Sequence, residues 1–308
     1  ILILLIAGFL FGTKTGRKFL YQYAAKYIYQ AVEIETESVE KETEVIDEVE
    51  TETTKPDPWY DEDEPVRNFL IYGVEGIGGA KNTDTMMIAS IDMETGQIKL
   101  TSLMRDTMVH IPGYRDNKLN QAFALGGVEL LWETIENNYM IDIDGYAWVD
   151  FEHFEELIDL IGGIDLELTT EEAKYLNTTN YISNPDNRNV SPGMNHLNGN
   201  QVLGYCRVRY VRTSTSGHDD YGRTERHRLV MDTIFNTYID RNPIELMTLS
   251  MSCLKYINTN VSETQIAQIL ECVVEKRASS MEKFRIPIDG CFEDPEEYNG
   301  VTYPLVLD

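Results

Sequence analysis

Cations are scarce in this chain of 308 residues: 26 Lys and Arg stand against 52 Asp and Glu, giving a formal net charge of -26 and a pI near 4.5. Such a chain repels DNA and RNA as a whole, so a general nucleic-acid partner is excluded. Cysteine is also sparse. Cys206, Cys253, Cys272 and Cys291 have no CxxC or Cys/His spacing, which argues against a zinc centre. Their even number permits disulfides outside the cytosol; Cys253 and Cys272, on two consecutive predicted helices, form the candidate pair, and Cys206 is expected to pack as a small hydrophobe. His110, His153, His196 and His218 lack metal-ligand spacing with a partner. A run long enough to span a bilayer is missing too. The apolar stretch at residues 1–11 (ILILLIAGFLF) falls short of the roughly 20 residues that a spanning helix needs. No internal repeat is visible.

The chain opens at Ile1 rather than Met, so the apolar stretch reads as the C-terminal part of a membrane helix, with a signal-peptide core or a buried strand as alternatives. The sequence GTKTGRK that follows is a poor cleavage site. Lys14, Arg17 and Lys18 would hold this flank in the cytoplasm by the positive-inside rule. Residues 19–32 carry apolar and aromatic side chains at helical spacing. Residues 33–65 hold fifteen acidic residues and two lysines, half of the net charge, and are broken by Pro56, Pro58 and Pro65. That composition buries no core and extends by self-repulsion. The expected organisation is an anchor at 1–18, a helical and then acidic stalk at 19–65, and one domain over 66–308, whose 42% hydrophobic content suits a packed core.

Within the domain, residues 69–74 read as a buried strand, 75–80 as a glycine-rich turn, and 85–92 and 97–103 as a hairpin. Residues 120–139 read as two helical pieces parted by Gly126 and Gly127. A strand at 145–149 leads to Asp150, which caps a helix over 151–161 that Gly162 and Gly163 stop. A strand at 164–168 precedes a helix opened by a Thr169/Glu172 capping box. Residues 177–192 form a polar loop. Helices follow at 198–206, 221–240, 244–256 and 263–275, and strands at 283–288 and 301–306. Strands and helices mix without strict alternation, which predicts an α/β fold, an α-β-α layered domain with a central mixed sheet.

One segment runs against the acidity of the rest. Residues 205–228 (YCRVRYVRTSTSGHDDYGRTERHR) carry Arg207, Arg209, Arg212, Arg223, Arg226 and Arg228, and no Lys. The planar guanidinium fork grips phosphate or carboxylate oxygens two at a time, so this basic island suits a small, highly charged anion. Arg207 and Arg209 share a side if 207–210 is extended; Arg223 and Arg226 share a face near a helix N-terminus, itself suited to anions. The hairpin brings Asp84 and Asp106 close together. Two such carboxylates either hold Mg²⁺ with phosphate oxygens and water or cap turns.

The chain resembles the LytR-CpsA-Psr family of bacterial cell-wall glycopolymer transferases. The matching stretches are NTDTM (82–86), SLMRDT (102–107), KLNQAFALGG (118–127), DFEHF (150–154) with IDLIGGID (158–165), LNGNQVLGYCRVR (197–209) and DDYGRTERH (219–227), in order over about residues 68–240. The resemblance implies transfer of a glycopolymer from a polyprenyl-pyrophosphate carrier to peptidoglycan through a phosphodiester, and a single-pass membrane protein with its domain outside the cell. That topology conflicts with the positive-inside reading above. It implies catalytic roles for Asp84, Arg105 and Asp106, Mg²⁺ on Asp84 and Asp106, and pyrophosphate binding by Arg207, Arg209 and Arg223, with Arg226 and His227 completing the substrate-binding set. Asn82, Met104 and His227 stand where the family often has Arg, Pro and Gln. The Arg cluster with Mg²⁺ fits phosphoryl transfer independently, because that chemistry needs its oxygen charges neutralised. The lipid carrier implied by the resemblance would need an apolar channel for its tail; Phe123, Leu125, Leu130, Leu131, Trp132, Ile135, Phe154, Leu157 and Ile161 either line one or form ordinary core. The competing readings are a non-catalytic binder of lipid-linked polyanion and a pyrophosphatase.

Overall fold

A computed structural model describes residues 14–31, 33–34, 65–77, 80–215, 217, 219–239, 241, 245, 249, 252–276 and 280–307. The apolar run at 1–11 and nearly all of the acidic segment lie outside the described residues. So does most of the helix expected at 244–256, whose described end includes a single 3-10 turn at Leu254–Tyr256.

The core is a mixed sheet. Strands β1 (Val66–Ile77), β2 (Ala80–Asp92) and β3 (Ile98–Leu103) run antiparallel in sequence order. Strand β4 (Gly145–Asp150) adds parallel to β1. On the far edge β7 (Met281–Ile286) adds parallel to β3, and short strands Asn258–Thr259 and Glu33–Ile34 extend the sheet beyond β4. The glycine-rich stretch read as a turn is mostly extended, with β1 reaching Ile77 and β2 starting at Ala80. Glycine permits a tight turn without requiring one, and here pairing with the facing strand keeps the stretch in the sheet.

Two-residue alternation divides the side chains between two layers. Leu70, Tyr72 and Val74 of β1 and Met86 and Ile88 of β2 pack against helix α2 (Leu119–Tyr139), whose Phe123, Leu131 and Ile135 are buried there. The expected break in this helix is present: Gly126 and Gly127 leave helical geometry, and Gly127 adopts φ 71°, a region open to glycine without strain. On the opposite face Met87, Ala89 and Leu100 meet Met231 and Phe235 of helix α6 (Asp219–Tyr238). The expected α-β-α layering around a mixed sheet is thus the architecture found.

A second core lies beside the sheet. It joins helix α3 (Phe151–Leu160), the ribbon of β5 (Ile164–Leu168) and β6 (Gly193–Leu197), helix α4 (Thr170–Thr178), helix α5 (Gly199–Arg207) and part of α6. The local signals here act as expected. Asp150 accepts from the His153 amide at 2.8 Å, and Thr169 and Glu172 form a reciprocal capping box. Helix α5 sits so close to α3 that a Cβ at Gly199 would lie 2.0 Å from the Glu155 carbonyl oxygen.

Helix α1 (Lys14–Ala31) runs through the boundary between the expected anchor and stalk. It lies along helix α7 (Glu263–Lys276), where Arg17 Nη2 and the Tyr21 hydroxyl donate to Glu275 at 3.1 and 2.8 Å. Among the described residues no helix is long and apolar enough to cross a membrane. The chain end forms small ribbons, Phe292–Glu293 with Val306–Leu307 among them, rather than another strand of the main sheet. All four cysteines are free thiols, Cys253 and Cys272 included; the Cys272 Sγ sits 3.7 Å from the Asp92 and Met93 carbonyl oxygens.

Candidate active site

The site begins with an irregularity in the β1–β2 ladder. Gly73 pairs with Thr85 and Val74 with Thr83, so Asp84 is one extra residue on β2. A bulge of this kind bends the strand and re-aims the side chain at that point. Thr83, buried beside it, anchors the bulge by donating to the Gly73 carbonyl at 3.0 Å.

Three guanidiniums converge on Asp84. Arg105 Nη1, just beyond the end of β3, donates to Asp84 Oδ1. Arg209 Nη2 and Arg223 Nη1 donate to Oδ2 at 2.8 and 2.9 Å, and Arg223 Nη2 reaches the Asp84 carbonyl at 3.0 Å. Burial pushes the Asp84 carboxyl up, but Arg223, Arg105 and Arg209 outweigh it and hold it below the usual carboxylate range. Asp84, Arg209 and Arg223 all line one cavity of about 280 Å³.

Arg207 lines the same cavity but takes a different seat. It is the last residue of α5, and its guanidinium lies 5.0 Å from the Phe151 ring centre and 5.8 Å from that of Tyr181. The chain leaves the helix at Val208, in extended geometry. Arg207 and Arg209 therefore reach one cavity from a helix end and an extended turn, rather than from a single strand.

Arg226 goes elsewhere. It has no solvent exposure and pairs with Glu172 through Nε at 3.0 Å and Nη2 at 2.8 Å. It also donates to the carbonyls of Val208 and Val211 at 3.0 and 2.8 Å. The expected shared face with Arg223 is not found, because the Glu172 carboxylate at the start of α4 draws Arg226 into the second core. Next to it, His227 Nε2 donates to the Cys206 carbonyl at 2.9 Å, and the Asp219 amide donates to the Arg209 carbonyl at 2.9 Å. Four carbonyls of residues 206–211 are thus held by the first half of α6. Arg226 acts on the segment that carries Arg207 and Arg209, at a distance from the cavity.

His227 does line the cavity. Burial, reinforced by Arg223, lowers its imidazole to about 3, so the ring is neutral at physiological pH. With Nε2 carrying the proton, Nδ1 is the acceptor, 3.4 Å from the Thr85 hydroxyl.

Asp106 stands behind Asp84 rather than on the cavity wall. Lys118 Nζ pairs with it at 2.9 Å, and Arg105 Nε lies 3.5 Å away. The Leu305 amide holds the Asp106 carbonyl at 2.8 Å, so the terminal segment braces this turn. A third carboxylate, Asp220, went unassigned by sequence reasoning. It pairs with Arg223 at 2.5 Å and Arg105 at 3.5 Å. Burial raises its carboxyl above the usual range, with the Asp106 charge adding to the rise and Arg223 and Arg105 opposing it. Oδ1 makes both of these ion pairs, and the second oxygen, Oδ2, is buried without a hydrogen bond. The signal for it was present, since the acidic pair at 219–220 opens a helix otherwise rich in Arg.

The donor set suits Mg²⁺ chemically, being hard carboxylate oxygen with one unsatisfied oxygen, Asp220 Oδ2, at its edge. Among the described residues no group of three or more His, Cys, Asp and Glu is arranged to hold a metal ion by itself. Phosphate oxygens and water are therefore needed to complete such a shell.

Beyond the charged end the cavity is apolar. Ile71, Met87, Val149, Phe154, Leu203 and Val230 line it, on the face of the sheet that α3, α5 and α6 cover. Of the apolar residues considered for a lipid channel, Phe154 lines it. Phe123, Leu131 and Ile135 are core under α2 on the other face, and Leu157 and Ile161 pack into the second core.

The arrangement is an anion cradle beside an apolar slot in an α/β fold. Residues 23–306 match the model of the LytR_cpsA_psr family, and the chain belongs to that family. It is a glycopolymer transferase by that membership. Among curated relatives, the regulatory protein MsrR of Staphylococcus aureus is 32% identical over 239 residues, covering 75% of this chain and 68% of that protein. The polyisoprenyl-teichoic acid–peptidoglycan teichoic acid transferase TagU of Enterococcus faecalis is 33% identical over 163 residues, 53% of this chain and 49% of that one. Solved structures with the same fold include Bacillus subtilis TagV (TM-score 0.62, 24% identity, 79% of this chain and 91% of that chain). The LytR-CPS2A-psr family protein YwtF (TagT) with bound octaprenyl pyrophosphate lipid is another (TM-score 0.57, 21% identity, 81% and 86%).

Proposed function

We propose that the chain moves an anionic glycopolymer from a polyprenyl-pyrophosphate carrier to a peptidoglycan hydroxyl, leaving a phosphodiester. The observation that carries this is the joint between the Asp84–arginine cluster and the apolar slot: a pyrophosphate bonded to a prenyl chain has that same division of charge and grease. The acceptor oxygen attacks the phosphorus next to the glycan. The bond from that phosphorus to the bridging oxygen breaks, and polyprenyl phosphate leaves. Arg209 and Arg223 neutralise the non-bridging oxygens, and Arg105 supports them from the end of β3. Mg²⁺ would be held by Asp84 and Asp106 together with phosphate oxygens, and would add to that neutralisation.

Besides the oxygen it would offer Mg²⁺, Asp84 has two further parts in this reading. Without substrate it occupies the arginine cradle as a stand-in anion. Phosphate oxygens that draw the guanidiniums away remove what depresses its basicity, so it becomes able to take the acceptor proton when a base is needed. The cellular setting belongs to the same proposal. Residues 1–11 would form part of a single membrane pass, and the folded domain would work on the outer face, where its lipid and wall substrates meet.

The test incubates the purified domain with a lipid-pyrophosphate saccharide, Mg²⁺ and peptidoglycan fragments. A phosphodiester-linked product supports the proposal. Release of a soluble saccharide phosphate instead would show hydrolysis and overturn transfer. Arg209→Lys keeps the charge but loses the planar fork and is expected to cut the rate roughly 100-fold. The exposed Arg212, changed in the same way, should leave the rate near wild type. Equal tolerance at both positions, in a discontinuous rate assay, would remove Arg209 from the site.

A further inference from the structure

The cavity mouth carries aromatic rings that neither a pyrophosphate nor a prenyl chain requires. Phe151, Tyr181 and Tyr210 all line it. The first two lie under the Arg207 guanidinium. Tyr181 is backed by Tyr175, with ring centres 5.3 Å apart. Tyr210 differs from its neighbours in being 73% exposed while still on the cavity wall. An exposed tyrosine is ordinary on a flexible loop. This one follows Arg209, in the segment whose carbonyls Arg226, His227 and Asp219 hold, so its backbone is fixed.

We propose that Tyr210, with Tyr181 lining the same cavity, is a stacking platform for the sugar ring attached to the carrier pyrophosphate, and that it lets the site prefer a glycosylated lipid pyrophosphate over a bare one. The inference rests on the function proposed above and adds a sugar subsite to it. A pyranose presents a flat C–H face ringed by hydroxyls. A tyrosine matches it with an apolar face and a polar tip, and loses little conformational entropy on binding. Because the segment is already ordered, sugar binding does not have to freeze a loop. Tyr210 also follows Arg209 in the chain and shares the cavity with it, and Arg209 reaches Asp84, where the first sugar must emerge if the pyrophosphate displaces that carboxylate.

Two probes separate the parts: geranylgeranyl pyrophosphate, and the same lipid carrying one N-acetylglucosamine on its pyrophosphate. Binding of each to the full chain, wild type and Tyr210→Ala, is measured by calorimetry. The expected result is a roughly tenfold loss of affinity for the glycosylated lipid, no change for the bare one, and recovery with Tyr210→Trp. Equal losses on both lipids, or no loss on either, would overturn the platform while leaving the proposed function standing. Wild-type protein that binds neither lipid would overturn the function and the platform together.

Discussion

Asp84→Asn is expected to slow glycopolymer transfer about 10²–10⁴-fold while binding of the lipid pyrophosphate in Mg²⁺-free buffer holds or tightens. The two effects separate because the carboxylate is assigned two parts. As the proton acceptor it is needed in the transition state, and an amide cannot replace it. As the stand-in anion it competes with substrate for Arg105, Arg209 and Arg223, and an amide competes less. Single-turnover rates and lipid titrations on the same preparation read the two quantities independently. A variant that loses binding and rate in equal measure would show that Asp84 merely arranges the arginines. A variant with wild-type turnover would remove it from the chemistry.

The largest effect on stability is expected at Arg226. Its guanidinium is fully buried and ties Glu172 of α4 to the segment after α5. Breaking a buried ion pair from one side leaves an uncompensated charge, at a cost of about 3–5 kcal/mol. For a domain of this size that corresponds to a fall in melting temperature of roughly 6–20 °C. Arg226→Met should show the full loss. Glu172→Gln preserves the capping box, because Gln also accepts from the Thr169 amide, but strands the guanidinium and should cost a comparable amount. The double variant Arg226→Met with Glu172→Gln should lose less than the sum, since no charge is left unpaired. Additive losses in thermal melts would mean that the pair does not act as a unit. Arg226→Lys should fall between, because an ammonium has one centre with which to reach one carboxylate and two carbonyls. Transfer by this variant should also drop even where it is folded, through Arg209.

Much of this molecule was legible before its structure. The β2–β3 hairpin, the break at Gly126 and Gly127, the Asp150 cap, the Thr169/Glu172 capping box and the stop at Gly162 and Gly163 were all read from sequence and are present. Each depends on residues a few positions apart, so the chain states it locally. The arginine island was legible for a related reason. Six guanidiniums within 24 residues of an acidic chain concentrate charge wherever the backbone goes.

What tertiary structure decided is the use made of these parts. A single unpaired residue in the β1–β2 ladder points Asp84 at the arginines, and no local pattern marks a bulge, because a bulge is a property of two strands in register. Arg226 and Arg223 are three apart on one helix, yet one enters the second core and the other lines the cavity, because Glu172 lies 54 positions upstream. The apolar residues of α2 and of α3 look alike in sequence, but the former cover the face of the sheet away from the cavity. Which face a helix covers depends on how the chain crosses the sheet, and that is settled by contacts between residues far apart in sequence.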